Sequence, residues 1–406
     1  MKTMFKVFWP VIALLVLNAC QKEKELVIPV QPTPIPVPSY DKNALVVTAD
    51  DNGVFYTNYA LTGSLRWTYN TPGMTAFAPA AVSSNYTIFA DAATASVYCM
   101  DTWSGDVLWE KGAIYSSYFI SPLLVNDFLY ITNDTKLQVY NPQNGDLLNE
   151  FPIIPYPHSL NYVNGLLIYN NCGGHMVAIK TDGVQQWEYQ SPAGCYHTNP
   201  AIADNIIYIL SSSGYLSAVN VITGTELWSK YVGDYTFDAS LIYNEGLLFA
   251  IDHKQNDKIY AFSAGNGDWV HTYLLPAGES CNMFLTPAVK NGKMYFLTEE
   301  GRLVAYSVED EMVLWQKQFD VQGCRINVPI KNGNRLERTE SHGDMTSVIL
   351  ANNWLYFGAG KNLYAVDINS VTKWETPLTG FIYSAPVVLT EFGNVYRAGT
   401  VGVVIK

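Results

Sequence analysis

The stretch Ala218-Val-Asn-Val-Ile-Thr-Gly-Thr-Glu-Leu-Trp228 decides the fold. It reads as a strand ending at Asn220, a turn closed by Thr223-Gly224, and a second strand that carries Trp228. Related stretches lie on both sides, Tyr98-Cys-Met-Asp-Thr-Trp-Ser-Gly-Asp-Val-Leu-Trp109 upstream and Ala365-Val-Asp-Ile-Asn-Ser-Val-Thr-Lys-Trp374 downstream. Aligned on the last residue, they define a column: Trp67, Trp109, Asn149, Trp187, Trp228, His271, Trp315 and Trp374. The gaps are 42, 40, 38, 41, 43, 44 and 59 residues. In a glycine-punctuated sequence with no amphipathic helix, a period of about 40 residues marks one four-stranded sheet per unit, the spacing of propeller blades.

Within each repeat the order of signals is the same. A small-residue inner strand, often with a proline (Pro79, Pro122, Pro200, Pro287, Pro386), precedes a strand with an aromatic, as in Asp127-Phe-Leu-Tyr130, Asn205-Ile-Ile-Tyr208 and Asn353-Trp-Leu-Tyr356. The Ala-x-Asp strand follows, then the Trp strand, so consecutive hairpins form a meander. The expected fold is all-β, an eight-bladed β-propeller of four-stranded antiparallel blades over residues 43–406, closed by N- and C-terminal strands. Seven complete repeats lie between Phe77 and Pro377. The eighth is expected to take an inner strand and two more from Ser384 to Lys406, and its outer strand from around Trp67, because a ring leaves no sheet end unpaired. Ala44 to Tyr59 also reads as two strands, which leaves a surplus. Either that hairpin or the last strands would lie outside the ring.

The chain opens with Met-Lys-Thr-Met-Phe-Lys, then Val7 to Leu17, apolar apart from Pro10, then Leu17-Asn-Ala-Cys20. Eleven residues are too few for a mature membrane span and fit the apolar region of a secretory signal. Residues 17–20 resemble the lipobox of bacterial lipoproteins, which implies a signal peptide over 1–19 and an acylated Cys20. Gln21-Lys-Glu-Lys-Glu25 resembles a surface-export signal of such lipoproteins and reads equally as a solvated charged tail. Pro29, Pro32, Pro34, Pro36 and Pro38 favour extended polyproline II, so residues 20–42 read as a tether reaching up to roughly 60 Å from the lipid. The expected location is the outer membrane, lipid-anchored, on the periplasmic side or the cell surface. The formal charge is −12, and loss of Lys2 and Lys6 with a signal peptide would take it to −14. A balance that acidic argues against non-specific binding to nucleic acid or to an anionic membrane surface.

The repeat Ala-x-Asp-x-x-Thr-Gly-x-x-x-Trp resembles that of the pyrroloquinoline-quinone (PQQ)-like propellers over nearly the whole mature chain. Within that superfamily, a single ring on a lipid anchor is similar to the scaffold lipoproteins of outer-membrane β-barrel assembly. The resemblance implies that Trp67, Trp109, Trp187, Trp228, Trp315 and Trp374 dock one blade on the next, and large flat residues recurring once per blade suit that role. Asn149 and His271 depart from the column, and Glu311 and Ser370 replace its glycine, so those blades are expected to be less regular. The superfamily also holds PQQ-dependent dehydrogenases. These carry adjacent cysteines over the quinone, ligands for calcium, and often a Cys-x-x-Cys-His haem site. The sequence has no adjacent cysteines and no Cys-x-x-Cys. It also has no Gly-x-Ser-x-Gly, no His-Glu-x-x-His and no phosphate-binding glycine loop. Asp252, His253 and Asp257 match no ligand spacing. A non-catalytic protein with no cofactor and no metal site is therefore expected.

Five cysteines follow Cys20. Cys195, Cys281 and Cys324 each stand just before an inner strand, and Cys172 follows a second strand whose loop opens on the same ring face. Disulfides Cys172–Cys195 and Cys281–Cys324 are expected, with Cys99 buried and free, against the alternative of five reduced thiols. Rings also gather where the chain enters inner strands: Phe77, Tyr115, Tyr118, Tyr156, His158, Tyr196, His197, Tyr235, Phe237, Phe284, Phe381 and Tyr383. Of these, Phe77, Tyr118, His158, His197, Phe237 and Tyr383 are the candidate binding face at the channel mouth, suited to a peptide strand or a sugar ring. The alternative is that many fill gaps between blades. One repeat is longer, and its insertion, with Arg325, Lys331, Arg335 and Arg338 around an Asn332-Gly333 turn, reads as a basic hairpin on an acidic protein. The expected function is a monomeric, membrane-anchored scaffold for a protein partner in β-barrel assembly. A surface module binding glycan or protein is the alternative, and a quinoprotein a distant third.

Overall fold

The computed structural model describes residues 43–71, 78–91, 94–112, 120–196, 199–233, 240–251, 258–275, 285–321, 345–382, 384–391 and 393–397, with the backbone of four short strands between 323 and 343. Seven four-stranded antiparallel sheets follow one another along the chain. They are blade 1 over 81–111, blade 2 over 123–152, blade 3 over 157–190, blade 4 over 201–231, blade 5 over 242–274, blade 6 over 288–318 and blade 7 over 349–377. Blade 4 shows the plan: Ala201–Ala203 innermost, then Ile206–Leu210, Tyr215–Asn220 and the outer strand Glu226–Tyr231. An eighth blade closes the ring. Among the described residues no helix is long and apolar enough to cross a membrane.

Turn chemistry sets the register of the inner hairpins. In six blades the two turn residues both have positive φ: Asn126-Asp127, Asn164-Gly165, Asp204-Asn205, Glu245-Gly246, Asn291-Gly292 and Asn352-Asn353. That is the type I′ geometry whose twist matches the flanking strands, and Asn, Asp and Gly tolerate it at least cost. The outer hairpin repeats a different device. A register shift falls one residue after the position facing the column residue, as in Ala218 opposite Trp228, Ala305 opposite Trp315 and Ala365 opposite Trp374. A small residue there leaves room beside the indole. Cys99 occupies that place opposite Trp109, so it is buried and free. Its thiol donates to the Pro142 carbonyl at 3.2 Å, and burial pushes it up to about 12, which leaves it inert at neutral pH.

The apolar core is divided among the junctions. Eight buried clusters each span two neighbouring blades, for example Ile168, Met176, Ile207 and Val219 between blades 3 and 4. The cluster of Phe55, Phe89, Tyr98 and Val387 joins blade 8 to blade 1, with the Phe55 and Phe89 rings stacked at 3.8 Å. The column residues complete these junctions. Five of the six indoles donate Nε1 to a carbonyl in the outer turn of the next blade: Trp67 to Thr102 at 3.0 Å, Trp109 to Pro142 at 2.8 Å, Trp187 to Val221 at 2.9 Å, Trp315 to Ile368 at 2.8 Å and Trp374 to Ala60 at 2.8 Å. The ring lies on the turn glycine. A Cβ on Gly105 would fall 2.5 Å from Trp67 and one on Gly267 would fall 2.6 Å from Trp228. Where the column has Asn149, Phe151 lies on Gly183 instead. Where it has His271, the imidazole Nε2 pairs with Glu311 at 3.3 Å, so the two departures from the repeat complement each other.

The closing blade differs from the expectation. Its order is Leu65–Asn70, Val54–Tyr59, Leu45–Ala49, Val387–Leu389 and Val395–Tyr396. The N-terminal hairpin therefore lies inside the ring and supplies the two middle strands, while the C-terminal segment supplies the inner strand through Leu45↔Leu389 and Val47↔Val387. The surplus becomes a fifth strand on the axis side of Val387–Leu389. Leu45, Val46 and Val47 are fully buried, which a strand outside the ring would not be. The insertion after blade 6 forms a hairpin, Asn327–Pro329 paired with Arg335–Glu337, with Gly323–Cys324 paired with His342–Gly343 beneath it.

Alkaline sensitivity follows from the buried rings. Burial pushes Tyr56, Tyr189, Tyr295 and Tyr364 up to about 12, and Tyr196 further up. Their folded pKa lies above the unfolded value of about 10, so this stabilisation is complete below pH ~10 and is lost as pH rises through about 12. The guanidinium unfolding midpoint should fall steeply between pH 10 and 12. Absorbance at 295 nm should show tyrosinate appearing together with loss of circular dichroism. A flat midpoint across that window would show the rings to be solvated.

Candidate functional site

Three surfaces carry chemistry beyond the core. The first is the mouth. Of its expected residues, Phe77, Tyr118, His197, Phe237, Arg325, Arg338 and Tyr383 lie outside the described residues, as do Cys20 and Cys281. Arg335 and Cys324 begin and end short strands whose side chains are not described. His158 is half-buried on the inner strand of blade 3, Pro157–Val163. Next to it, Tyr156 is 68% exposed at φ +60.

The second is a clasp between the connector after blade 7 and the closing blade. Asp50 is fully buried, and its Oδ1 accepts from the backbone N–H of Asn52 at 3.1 Å and Val54 at 3.0 Å. Its Oδ2 accepts from the Tyr56 hydroxyl at 2.7 Å, the Thr379 hydroxyl at 2.7 Å and the Gly380 N–H at 2.8 Å. Asp51 exchanges two bonds with Phe381, its N–H donating at 2.9 Å and its carboxylate accepting at 2.8 Å. Burial raises the Asp51 carboxyl above its ordinary range. This constellation escapes sequence reading, because Asp50-Asp51-Asn52-Gly53 looks like an ordinary turn.

The third is the outer rim. The outermost strand of every blade has one unpaired edge among the described residues. On blades 4 to 6 these strands expose large apolar side chains: Leu227, Trp269 at 61%, Val270, Leu274 at 61%, Met312 at 54% and Leu314. Blades 8, 1 and 2 carry a second arc of Leu65, Val107, Leu108, Leu147 and Leu148. Blade 3 interrupts with exposed Gln185 and Gln186. An open strand edge flanked by apolar side chains is the surface to which an extended strand adds, since backbone bonds give affinity and alternate side chains give selectivity. The sequence signal for it is an apolar residue just before the column position, as at Leu108, Leu148, Leu227, Val270 and Leu314.

Cys172 and Cys195 are joined by a disulfide, with a Cα–Cα distance of 4.2 Å. The loops that carry them meet because Gly174 (φ +75) has no Cβ, which would otherwise fall 2.5 Å from the Gly194 carbonyl.

The fold and these surfaces define a class: a single-ring, eight-bladed PQQ-repeat propeller. Residues 21–164 and 158–280 match the family described as outer membrane protein assembly factor BamB, and the chain belongs to that family. BamB of Moranella endobia (strain PCIT) is 22% identical over 286 residues, covering 64% of this chain and 69% of that protein. The crystal structure of BamB from Moraxella catarrhalis shares the fold with a TM-score of 0.59 at 13% identity, covering 86% of this chain and 90% of that one. A tetrathionate hydrolase of Acidithiobacillus ferrooxidans is also similar, 21% identical over 208 residues, covering 50% of this chain and 39% of the enzyme.

Proposed function

We propose that the protein is a non-catalytic scaffold in the assembly of outer-membrane β-barrel proteins, held at the membrane by a lipid on Cys20 behind the tether of residues 20–42. Membership of the assembly-factor family supports the process. The observation that carries the mechanism is the open, apolar rim of blades 4 to 6. An unpaired edge of that composition is a liability in a monomer and is stabilised by a partner's strand. Barrel assembly is the process that supplies extended, unpaired strands as clients or as edges of the machinery.

The rim is tested by photo-crosslinking in cells at positions 269 and 312, with position 185 as the polar control. Crosslinks to β-barrel or assembly proteins at the first two, and at least tenfold fewer at 185, are expected. With the crosslinker kept at 269, changing both Leu274 and Met312 to Glu should abolish its crosslinks while moving stability by no more than about 0.5 kcal/mol per site, since both side chains are exposed. Crosslinks that are indifferent to position would remove the rim from the mechanism. A second reading, a surface module for glycan or protein, draws on the exposed ring of Tyr156 beside His158. Protease treatment of intact cells separates the two: a periplasmic scaffold survives and a surface module is cut.

A further inference from the structure

The disulfide has a third neighbour. His158, Cys172 and Cys195 bring one imidazole nitrogen and two sulfurs within 4.8 Å of one another. Three features show that the arrangement is built. His158 sits at a register shift, where Pro157 faces Asn171 and Ser159 faces Asn170, so a bulge re-aims it out of the ladder. Asn171 holds the Cys172 loop: its Oδ1 accepts from Gly173 N–H at 2.9 Å and His175 N–H at 3.0 Å, and its amide donates to the Pro155 carbonyl at 3.2 Å. The Cys195 loop has bonds of its own to Ser212 and one to Asn171. Its N–H donates to the Ser212 hydroxyl at 3.0 Å, its carbonyl accepts from the Ser212 N–H at 2.8 Å, and Tyr196 N–H donates to the Asn171 carbonyl at 3.2 Å. These bonds hold both loops in addition to the S–S bond.

We infer that the reduced protein binds one thiophilic d¹⁰ ion, Cu⁺ or Zn²⁺, through His158 and the thiolates of Cys172 and Cys195. Two soft thiolates with one imidazole suit three-coordinate Cu⁺, or Zn²⁺ with water as the fourth ligand. Ion and disulfide are mutually exclusive, because oxidation takes two electrons from the pair of thiolates and leaves two neutral, weakly donating sulfurs joined by one S–S bond. A phosphine reductant opens the site. It attacks one sulfur, the S–S bond breaks, water supplies the oxygen of the phosphine oxide, and two thiols result. Metal binding then displaces one proton from each thiol. Cys172 is exposed, so the reductant can reach it.

The test uses the full chain, oxidised and after phosphine reduction, offered Zn²⁺ or, separately, Cu⁺ against a competing chelator. Ions retained are counted per chain, and Co²⁺ is added to the reduced protein to read thiolate-to-metal charge transfer in the near ultraviolet. The reduced wild type should retain one more ion of at least one kind than Cys172→Ser, and the oxidised protein none at this site. His158→Ala and His158→Gln should weaken retention at least tenfold, and unchanged melting curves identify the variant that keeps its fold. Bound metal should also protect Cys172 from alkylation. Retention of neither ion, equal retention by Cys172→Ser, or equal affinity in both His158 variants would overturn the inference.

Discussion

Replacing Asp50 by Ala is expected to destabilise the ring by about 3–5 kcal/mol, among the largest effects of any single substitution. Its carboxylate gathers five donors, two of them on Thr379 and Gly380 at the far end of the chain. Alanine leaves the buried N–H groups of Val54 and Gly380 without this acceptor, while the Tyr56 and Thr379 hydroxyls keep only each other at 3.1 Å, and each orphaned group costs about 1–3 kcal/mol before relaxation. Asp50→Asn should cost less, because its oxygen still accepts from Asn52 and Val54 and the two hydroxyls can turn to meet its amide. The measurement is the denaturant midpoint at constant m-value. A loss under about 1 kcal/mol for Asp50→Ala would show that closure does not depend on this carboxylate.

Trp374→Ala should cost about 3–5 kcal/mol, and His271→Ala under about 1 kcal/mol, although both hold the same column position. The indole of Trp374 is buried on Gly63 with its N–H on the Ala60 carbonyl, whereas the His271–Glu311 pair is partly solvated. Trp374→Phe should fall between the two, because the Ala60 carbonyl keeps a bond from the Tyr356 hydroxyl at 3.4 Å. Comparing the three unfolding midpoints separates indole packing from the column position itself. Equal losses at positions 374 and 271 would mean that the column only marks a place in the strand. Gly63→Ala is a further probe of this junction, combining strain at φ +68 with a Cβ 2.5 Å from the Trp374 ring.

The column Trp67, Trp109, Trp187, Trp228, Trp315 and Trp374 was legible because its causes are local. The indole, the turn glycine and the small facing residue recur in most of the repeats. The replacement of Asn149 by Phe151 was not legible, since it depends on which side chain reaches Gly183 of the next blade. Pairing of Cys172 with Cys195 could be read from their places beside a blade boundary. The approach of His158 to that pair could not, because a bulge moves it by one register position that no pattern displays.

The number and order of the sheets, the turn types and the residues between blades follow from local sequence, because strand alternation and turn geometry act over a few residues. Which strands share the closing blade, and what the clasp and the His158 cluster contain, depends on the folded ring. Thr48 meets Ser384 across 336 positions, and Asp50 meets Gly380 across 330. Contacts at that range are selected by the closure of the whole ring, which leaves one arrangement without an unpaired sheet end inside the core.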